Sequence, residues 1–214
     1  MTPPNLPQKG EFFLLEPDLR IPGPGHGVVF ENEKQLLTPP SRSLRPWEGG
    51  FPVLKEIPRL VHDPKKGSMP LDLEASFGGY WLVSERLKKV FEDVDPQAFE
   101  FAEVDFRLAS GARGPGYFLC DVVRVLDAVD EDRSTLRIEQ GADYVDGKVY
   151  NFSGGAHLAM RRDVVGAAHA FQLKFSLSVF CDRVMLDAIR GAGIAPPERS
   201  DGLWFIDAAD WTDA

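Results

Sequence analysis

The spacing of apolar and polar positions divides this chain into two stretches of different character. The clearer stretch begins near residue 81. Ser84 stands where a helix N-cap belongs and Glu85 follows in the first turn, while Leu87, Val90, Phe91 and Val94 repeat at the i, i+3, i+4, i+7 spacing of a helix with one buried face. Asp95-Pro96 ends that helix, because proline restricts the residue before it and lacks the backbone donor needed to continue. Phe99 to Leu108 approximates the two-residue alternation of a half-buried strand. Ser110 to Gly116 turns the chain, and Tyr117 to Leu126 is a nearly continuous apolar run interrupted by Asp121 and Arg124. It opens into a dense acidic turn, Asp127, Asp130, Glu131 and Asp132.

Further along, Ser134 to Glu139 alternates as a short strand. Asp146-Gly147 is a strong hairpin-turn dipeptide, and Val149 to Phe152 supplies the returning strand. Gly154-Gly155 breaks the run, and Ala156 to Arg161, with Val164 and Val165, reads as strand or short helix. Phe171, Leu173, Phe175, Leu177 and Val179 hold a strict two-residue period, which predicts one strand over Phe171 to Phe180. Asp182 caps a helix over Arg183 to Arg190 whose apolar face is Val184, Met185, Ala188 and Ile189, with Gly191 as its stop. Leu203 to Ile206 makes a last strand, followed by an acidic tail containing Asp207, Asp210, Trp211 and Asp213.

Residues 1 to 80 hold 13 of the chain's 17 prolines, so regular elements there must be short. Strands are predicted at Phe12 to Leu15 and Gly27 to Glu31, with an irregular apolar segment over Phe51 to Val61. Trp47, Phe51, Leu54, Ile57 and Leu60 need burial, and a proline-rich arm of this kind gains it most readily by wrapping a core built by the later residues. The expected architecture is therefore α+β, a mixed or antiparallel sheet with a few helices. It comprises a proline-rich, mostly irregular N-terminal arm or small subdomain (residues 1–80) packed on a core domain (residues 81–214).

With 214 residues and 43% hydrophobic content, the chain can bury a sizeable core. The formal charge is −9, and residues 81–214 hold 15 basic and 23 acidic side chains, against 9 and 10 in residues 1–80. That balance disfavours nucleic acid or an anionic membrane as partner and favours a basic protein for the second part. Cys120 and Cys181 lack a CxxC or zinc-like spacing and read as buried free thiols. The first residues, Met1-Thr-Pro-Pro-Asn, show no signal-peptide pattern and no segment has bilayer-spanning length, so a cytoplasmic location is expected.

Candidate chemistry is sparse. Gly23-Pro-Gly-His26-Gly27 lacks the lysine of a phosphate-binding loop and no helix pattern follows it, which makes it a flexible turn. His26, His62, His157 and His169 form no local metal motif and read as structural polar residues. A Cys181/His169 or Cys120/His157 pair would be needed for a small hydrolase or transferase, yet no nucleophile elbow or dinucleotide fingerprint accompanies either. Asp127, Asp130, Glu131 and Asp132 do not match the EF-hand pattern. A solvated turn or an acidic regulatory face accounts for them, and so does a ridge that meets a basic groove on another protein. No catalytic, metal or cofactor site is expected.

The segments Ser84-Glu-Arg-Leu-Lys-Lys-Val-Phe91, Asp95-Pro96-Gln-Ala-Phe99-Glu-Phe101, Tyr117-Phe-Leu-Cys-Asp-Val-Val-Arg-Val-Leu-Asp-Ala-Val-Asp130 and Asp132-Arg133-Ser134 resemble a bacterial family of polymorphic-toxin immunity proteins, immunity protein family eleven. Ala170-Phe171 through Val179-Phe180-Cys181-Asp182, the helix after it, and Gly202-Leu-Trp-Phe205 are similar to that family's C-terminal half. The resemblance covers residues 81–206. It implies an antitoxin that binds and blocks one cognate secreted toxin without catalysis. It further implies a cytoplasmic target, for which a basic nuclease suits the acidic surface. The expected partner is that toxin protein, with no direct nucleic acid and no membrane. Its contact would run through Asp127, Asp130, Glu131 and Asp132, with Trp47, Trp81, Trp204 and Trp211 as candidate aromatic anchors.

Overall fold

The computed structural model describes residues 6–20, 25–38 and 41–211. In chain order it contains β1 (Phe12–Pro17), β2 (Val28–Phe30), α1 (Glu33–Leu36), β3 (Arg59–His62), β4 (Leu73–Phe77), β5 (Tyr80–Ser84), α2 (Glu85–Val94), β6 (Phe99–Glu103) and β7 (Asp105–Leu108). These are followed by β8 (Tyr117–Val122), β9 (Val125–Leu126), β10 (Arg137–Gln140), β11 (Lys148–Asn151), α3 (Arg162–Val165), β12 (Ala170–Leu173), β13 (Val179–Asp182), α4 (Arg183–Gly191) and β14 (Leu203–Asp207). The fold is α+β with mixed and antiparallel sheets, as the periodicities imply. Gly23 and Pro24 of the glycine-rich turn and Asp213 of the tail lie outside the described residues.

The chain divides into two compact units. The first comprises Met1–Glu16, Arg124–Asp187 and Trp204–Ala214, and the second Pro17–Val123 and Ala188–Leu203. The N-terminal 80 residues contribute to both, β1 to the first unit's sheet and β2, β3 and β4 to sheets of the second.

In the first unit a five-stranded sheet runs β14-β1-β13-β12-β9, and β10-β11 form a separate hairpin. Phe13 pairs with Cys181 and Phe171 with Phe180 in antiparallel register, whereas β12 and β9 run parallel through Gln172 and Val125. Phe12, Leu14, Tyr150, Phe152, Phe171 and Phe180 fill its core. The turn between β10 and β11 uses the predicted dipeptide: Asp146 and Gly147 take φ of 49° and 77°, a backbone region open to glycine and accessible to aspartate.

The strand predicted over Phe171 to Phe180 is instead a hairpin, β12 and β13, with Leu177 84% exposed at its tip. The alternation continues through the bend because Lys174-Phe-Ser-Leu-Ser contains no glycine, proline, asparagine or aspartate to announce it. The turn is made by Ser176, whose Oγ accepts the Ser178 N–H at 3.2 Å, closed by the Leu173 N–H on the Ser178 carbonyl at 3.0 Å. Asp182 caps α4 as predicted, its Oδ1 accepting from Met185 N–H at 3.0 Å. The buried face of α4 is Met185, Leu186 and Ile189, while Val184 is exposed.

The second unit joins two sheets, β2-β3-β7 and the antiparallel β4-β5-β8-β6, through one core containing Leu60, Phe77, Tyr80, Leu82, Phe106 and Leu119. The single strand predicted over Phe99 to Leu108 breaks at Val104, because β6 pairs with β8 and β7 with β3, in different sheets. Tyr117 to Leu126 breaks likewise, β8 lying in this unit and β9 in the first. Helix α2 matches its predicted cap and end and three of its four stripe positions, Val94 being half-buried. Ser84 Oγ accepts from Leu87 N–H at 3.3 Å, Leu87, Val90 and Phe91 are buried, and the Phe91 ring stacks on Phe99 with centroids 4.2 Å apart.

Candidate functional site

The acidic turn leaves β9 in the first unit, and its carboxylates have different fates. Asp127 lies 3.7 Å from the Arg161 guanidinium, which also donates to the Asp127 carbonyl at 2.6 Å. Asp130 is buried. Its N–H donates to the Ala159 carbonyl at 2.8 Å and its Oδ2 accepts from Arg133 at 2.8 Å, fixing the turn as a rigid bend. Glu131 accepts from the Lys148 ammonium and from the Tyr150 hydroxyl, the latter at 2.6 Å. The Lys148 hydrogen bond, helped by that of Tyr150, holds the Glu131 carboxyl below its ordinary range. Lys148 also sits 4.1 Å from the centre of the Phe175 ring, tying the turn to the β12–β13 hairpin. Asp132 is exposed and, among the described residues, has no ion-pair partner.

Three of the four predicted contact carboxylates thus carry an intramolecular cation, and Asp132 alone presents an uncompensated charge. The first unit as a whole holds 15 acidic against 9 basic residues, net −6, compared with 18 against 15, net −3, in the second. The partner cations Arg161 and Lys148 are 34 and 17 residues away from their acids, too far for any local sequence pattern to reveal.

The thiols are buried, and each imidazole has a partner within the fold. Cys120 and Cys181 are buried, and burial pushes the Cys120 thiol well up, leaving it protonated at neutral pH. His169 Nδ1 meets Asp182 at 2.8 Å, and His157 Nδ1 donates to the Ala209 carbonyl at 2.8 Å. His62 is buried with Nε2 3.3 Å from the Gly67 carbonyl, while His26 accepts the Val28 N–H at 3.2 Å and stacks on Phe77. Among the described residues no group of three or more His, Cys, Asp or Glu side chains is placed to hold a metal ion, and no helix is long and apolar enough to cross a membrane.

Of the four candidate tryptophans, Trp47 is 78% exposed. Trp81 and Trp204 are half-buried, and so is Trp211, which packs on Phe152 with ring centroids 4.8 Å apart.

This is an α+β chain with buried thiols, individually bonded histidines and an ion-paired acidic bend. The model of the Immunity protein family (Imm11) matches it over residues 11–210. The chain belongs to this family. The match takes in residues 11–80, which the motif resemblance did not reach, so the proline-rich N-terminal region belongs to the Imm11 pattern as well. No curated protein matches the chain. An Imm11 protein has the role of an immunity protein, and its partner is a cognate toxin.

Proposed function

We propose that this Imm11 protein binds one cognate toxin domain in the cytoplasm and silences it by non-covalent occlusion, and that the toxin is a nuclease with a basic substrate groove. The match over residues 11–210 carries the immunity role. The nuclease reading is supported by charge: a net −9 chain, with net −6 in the unit that bears the acidic turn, is drawn toward a surface that itself evolved to hold phosphates. Within the turn, Asp132 makes the direct charge contact. Asp127, Asp130 and Glu131, each paired with a cation, hold the turn in place. Long-range attraction of this kind speeds encounter more than it tightens the complex, so it selects partners by sign and leaves affinity to a desolvated centre.

The test is co-expression with the product of the adjacent gene. That product alone should kill and degrade nucleic acid in the host, and this chain should restore growth. A neighbour that is harmless by itself, or that kills equally with this protein present, would end the proposal; killing and rescue without nucleic-acid damage would retain immunity and reject the nuclease.

A further inference from the structure

The second unit displays an apolar set that its own core does not use. Trp47 is 78%, Val53 96% and Ile57 56% exposed, all within one irregular segment between Pro46 and Pro58. Three large apolar groups left in water within eleven residues single this segment out as a candidate binding face.

The segment is pinned at both ends and in its middle. Asp121 on β8 is buried and accepts from Arg45 Nε at 2.7 Å and from Gly50 N–H at 2.6 Å. The Tyr80 hydroxyl donates to the Gly50 carbonyl at 2.9 Å, and Phe51 stacks on the Tyr80 ring at 4.3 Å. Leu54 packs against the core, and the Pro58 carbonyl accepts the Asp105 N–H at 2.8 Å. Inward residues Phe51, Leu54 and Pro58 therefore fix the outward direction of Trp47, Val53 and Ile57.

Position follows from the same contacts. A Cβ on Gly50 would lie 3.0 Å from the Glu100 carboxylate, and Ile57 shares with Glu103 the wall of a cleft of about 490 Å³. Glu100 and Glu103 both belong to β6, the edge strand of its sheet, and are about 10 Å apart at ~3.3 Å per residue.

We infer that this 47–57 segment is the apolar anchor of the toxin interface, Trp47 entering an apolar pocket on the toxin with Val53 and Ile57 beside it. The inference rests on the immunity reading above and adds to it the face and the residues that hold the partner. An exposed tryptophan on a fixed platform is the side chain most often found dominating such contacts, since little ordering is left for binding to impose. Glu48, Glu100 and Glu103 are exposed without an ion pair among the described residues, against Lys55 and Arg113 of opposite sign, an acidic excess that suits a basic toxin rim. A second copy would bring the same excess, six carboxylates against four cations across the pair, so charge disfavours it as the occupant.

The experiment measures binding of the full-length chain to the toxin domain encoded by the adjacent gene, by surface plasmon resonance, for wild type, Trp47→Ala, the pair Val53→Ser/Ile57→Ser, and Val184→Ser on the exposed face of α4 as control. Trp47→Ala should weaken binding about thirtyfold through faster dissociation, with an unchanged circular dichroism melt, and Val184→Ser should bind as wild type. Wild-type affinity retained within twofold by both Trp47→Ala and the serine pair overturns this inference while leaving immunity intact. Wild-type protein that does not bind the toxin overturns the immunity reading itself. A variant that loses only self-association in sedimentation, with toxin affinity unchanged, assigns the face to a second copy and also overturns the inference.

Discussion

Replacing Asp121 by alanine probes the joint that fixes residues 45–50. The carboxylate is 5% exposed and accepts two hydrogen bonds, from the Arg45 guanidinium and from the Gly50 N–H. Its removal leaves both donors facing a space lined by β8. Breaking one side of a buried ion pair costs about 3–5 kcal/mol. The Arg45 side chain keeps 18% of its exposure, so solvent recovers part of its charge and the low end applies, about 3 kcal/mol. For a chain of this length that corresponds to a melting temperature lower by roughly 6–12 °C. Arg45→Met and the double variant complete a cycle, measured by urea unfolding, in which the pair should couple by about 2 kcal/mol. Hydrogen exchange adds a local readout, since the Gly50 amide should lose protection in Asp121→Ala. A loss of stability under about 0.5 kcal/mol, or a cycle that closes to zero, would refute the idea that this joint holds the segment.

Other consequences concern pH and charge. Burial raises the ionisation of Tyr80, Tyr117 and Tyr150 above the ordinary range, Tyr117 to about 12. Their neutral forms therefore stabilise the fold fully below pH ~10, the unfolded value, and that contribution is lost as pH rises through the folded values. Absorbance at 295 nm should show these three still neutral at pH 11; ionisation of every tyrosine by then with native circular dichroism would contradict the packing. At the acid end, Arg199 first, then the Ala195 N–H, hold Asp201 below the carboxylate range against an opposing desolvation. Its stabilisation is present above pH ~3.8 and fades as pH falls through the lowered folded value, so Asp201→Asn should flatten the stability profile below pH 4, and an unchanged acid limb would argue against the pairing. Asparagine tolerates the φ of 49° at this position, which keeps the backbone out of the comparison. Asp132→Lys should slow association with the toxin severalfold and reduce the salt dependence of that rate while leaving dissociation within twofold; an unaltered on-rate moves the charge contact elsewhere.

What the sequence discloses and what it hides divide along the range of the contacts. Helix α2 is legible because its cap, stripe and stop lie within twelve residues, and the Asp146-Gly147 turn because its backbone demand falls on the two residues that meet it. The β12–β13 bend is hidden because a serine hydroxyl makes the turn inside an uninterrupted alternation. Strand breaks at Val104 and after Val122 depend on which sheet each half joins, a choice set by β3 and β12 far away in the chain. Asp121 is visible as an interruption of an apolar run, but its partner Arg45 is 76 residues upstream. The acidic turn shows the same limit. Arg133, three residues from Asp130, was within reach of inspection, whereas Lys148 and Arg161, which take up Glu131 and Asp127, were not. Trp47 could be named as a candidate with three other tryptophans, and exposure then set it apart, because Phe51 and Leu54 of the same segment take the available places in the core.

The central claim is that this protein acts on its toxin by surface contact alone. Titrating purified toxin with purified chain and following residual toxin activity tests it directly, with the complex then dissociated in denaturant, refolded apart, and the toxin weighed by mass spectrometry. The account predicts inhibition that reaches completion at a fixed stoichiometry, an unaltered toxin mass and recovered activity. Complete inactivation by a small fraction of an equivalent, or a toxin that returns cleaved or modified, would contradict it.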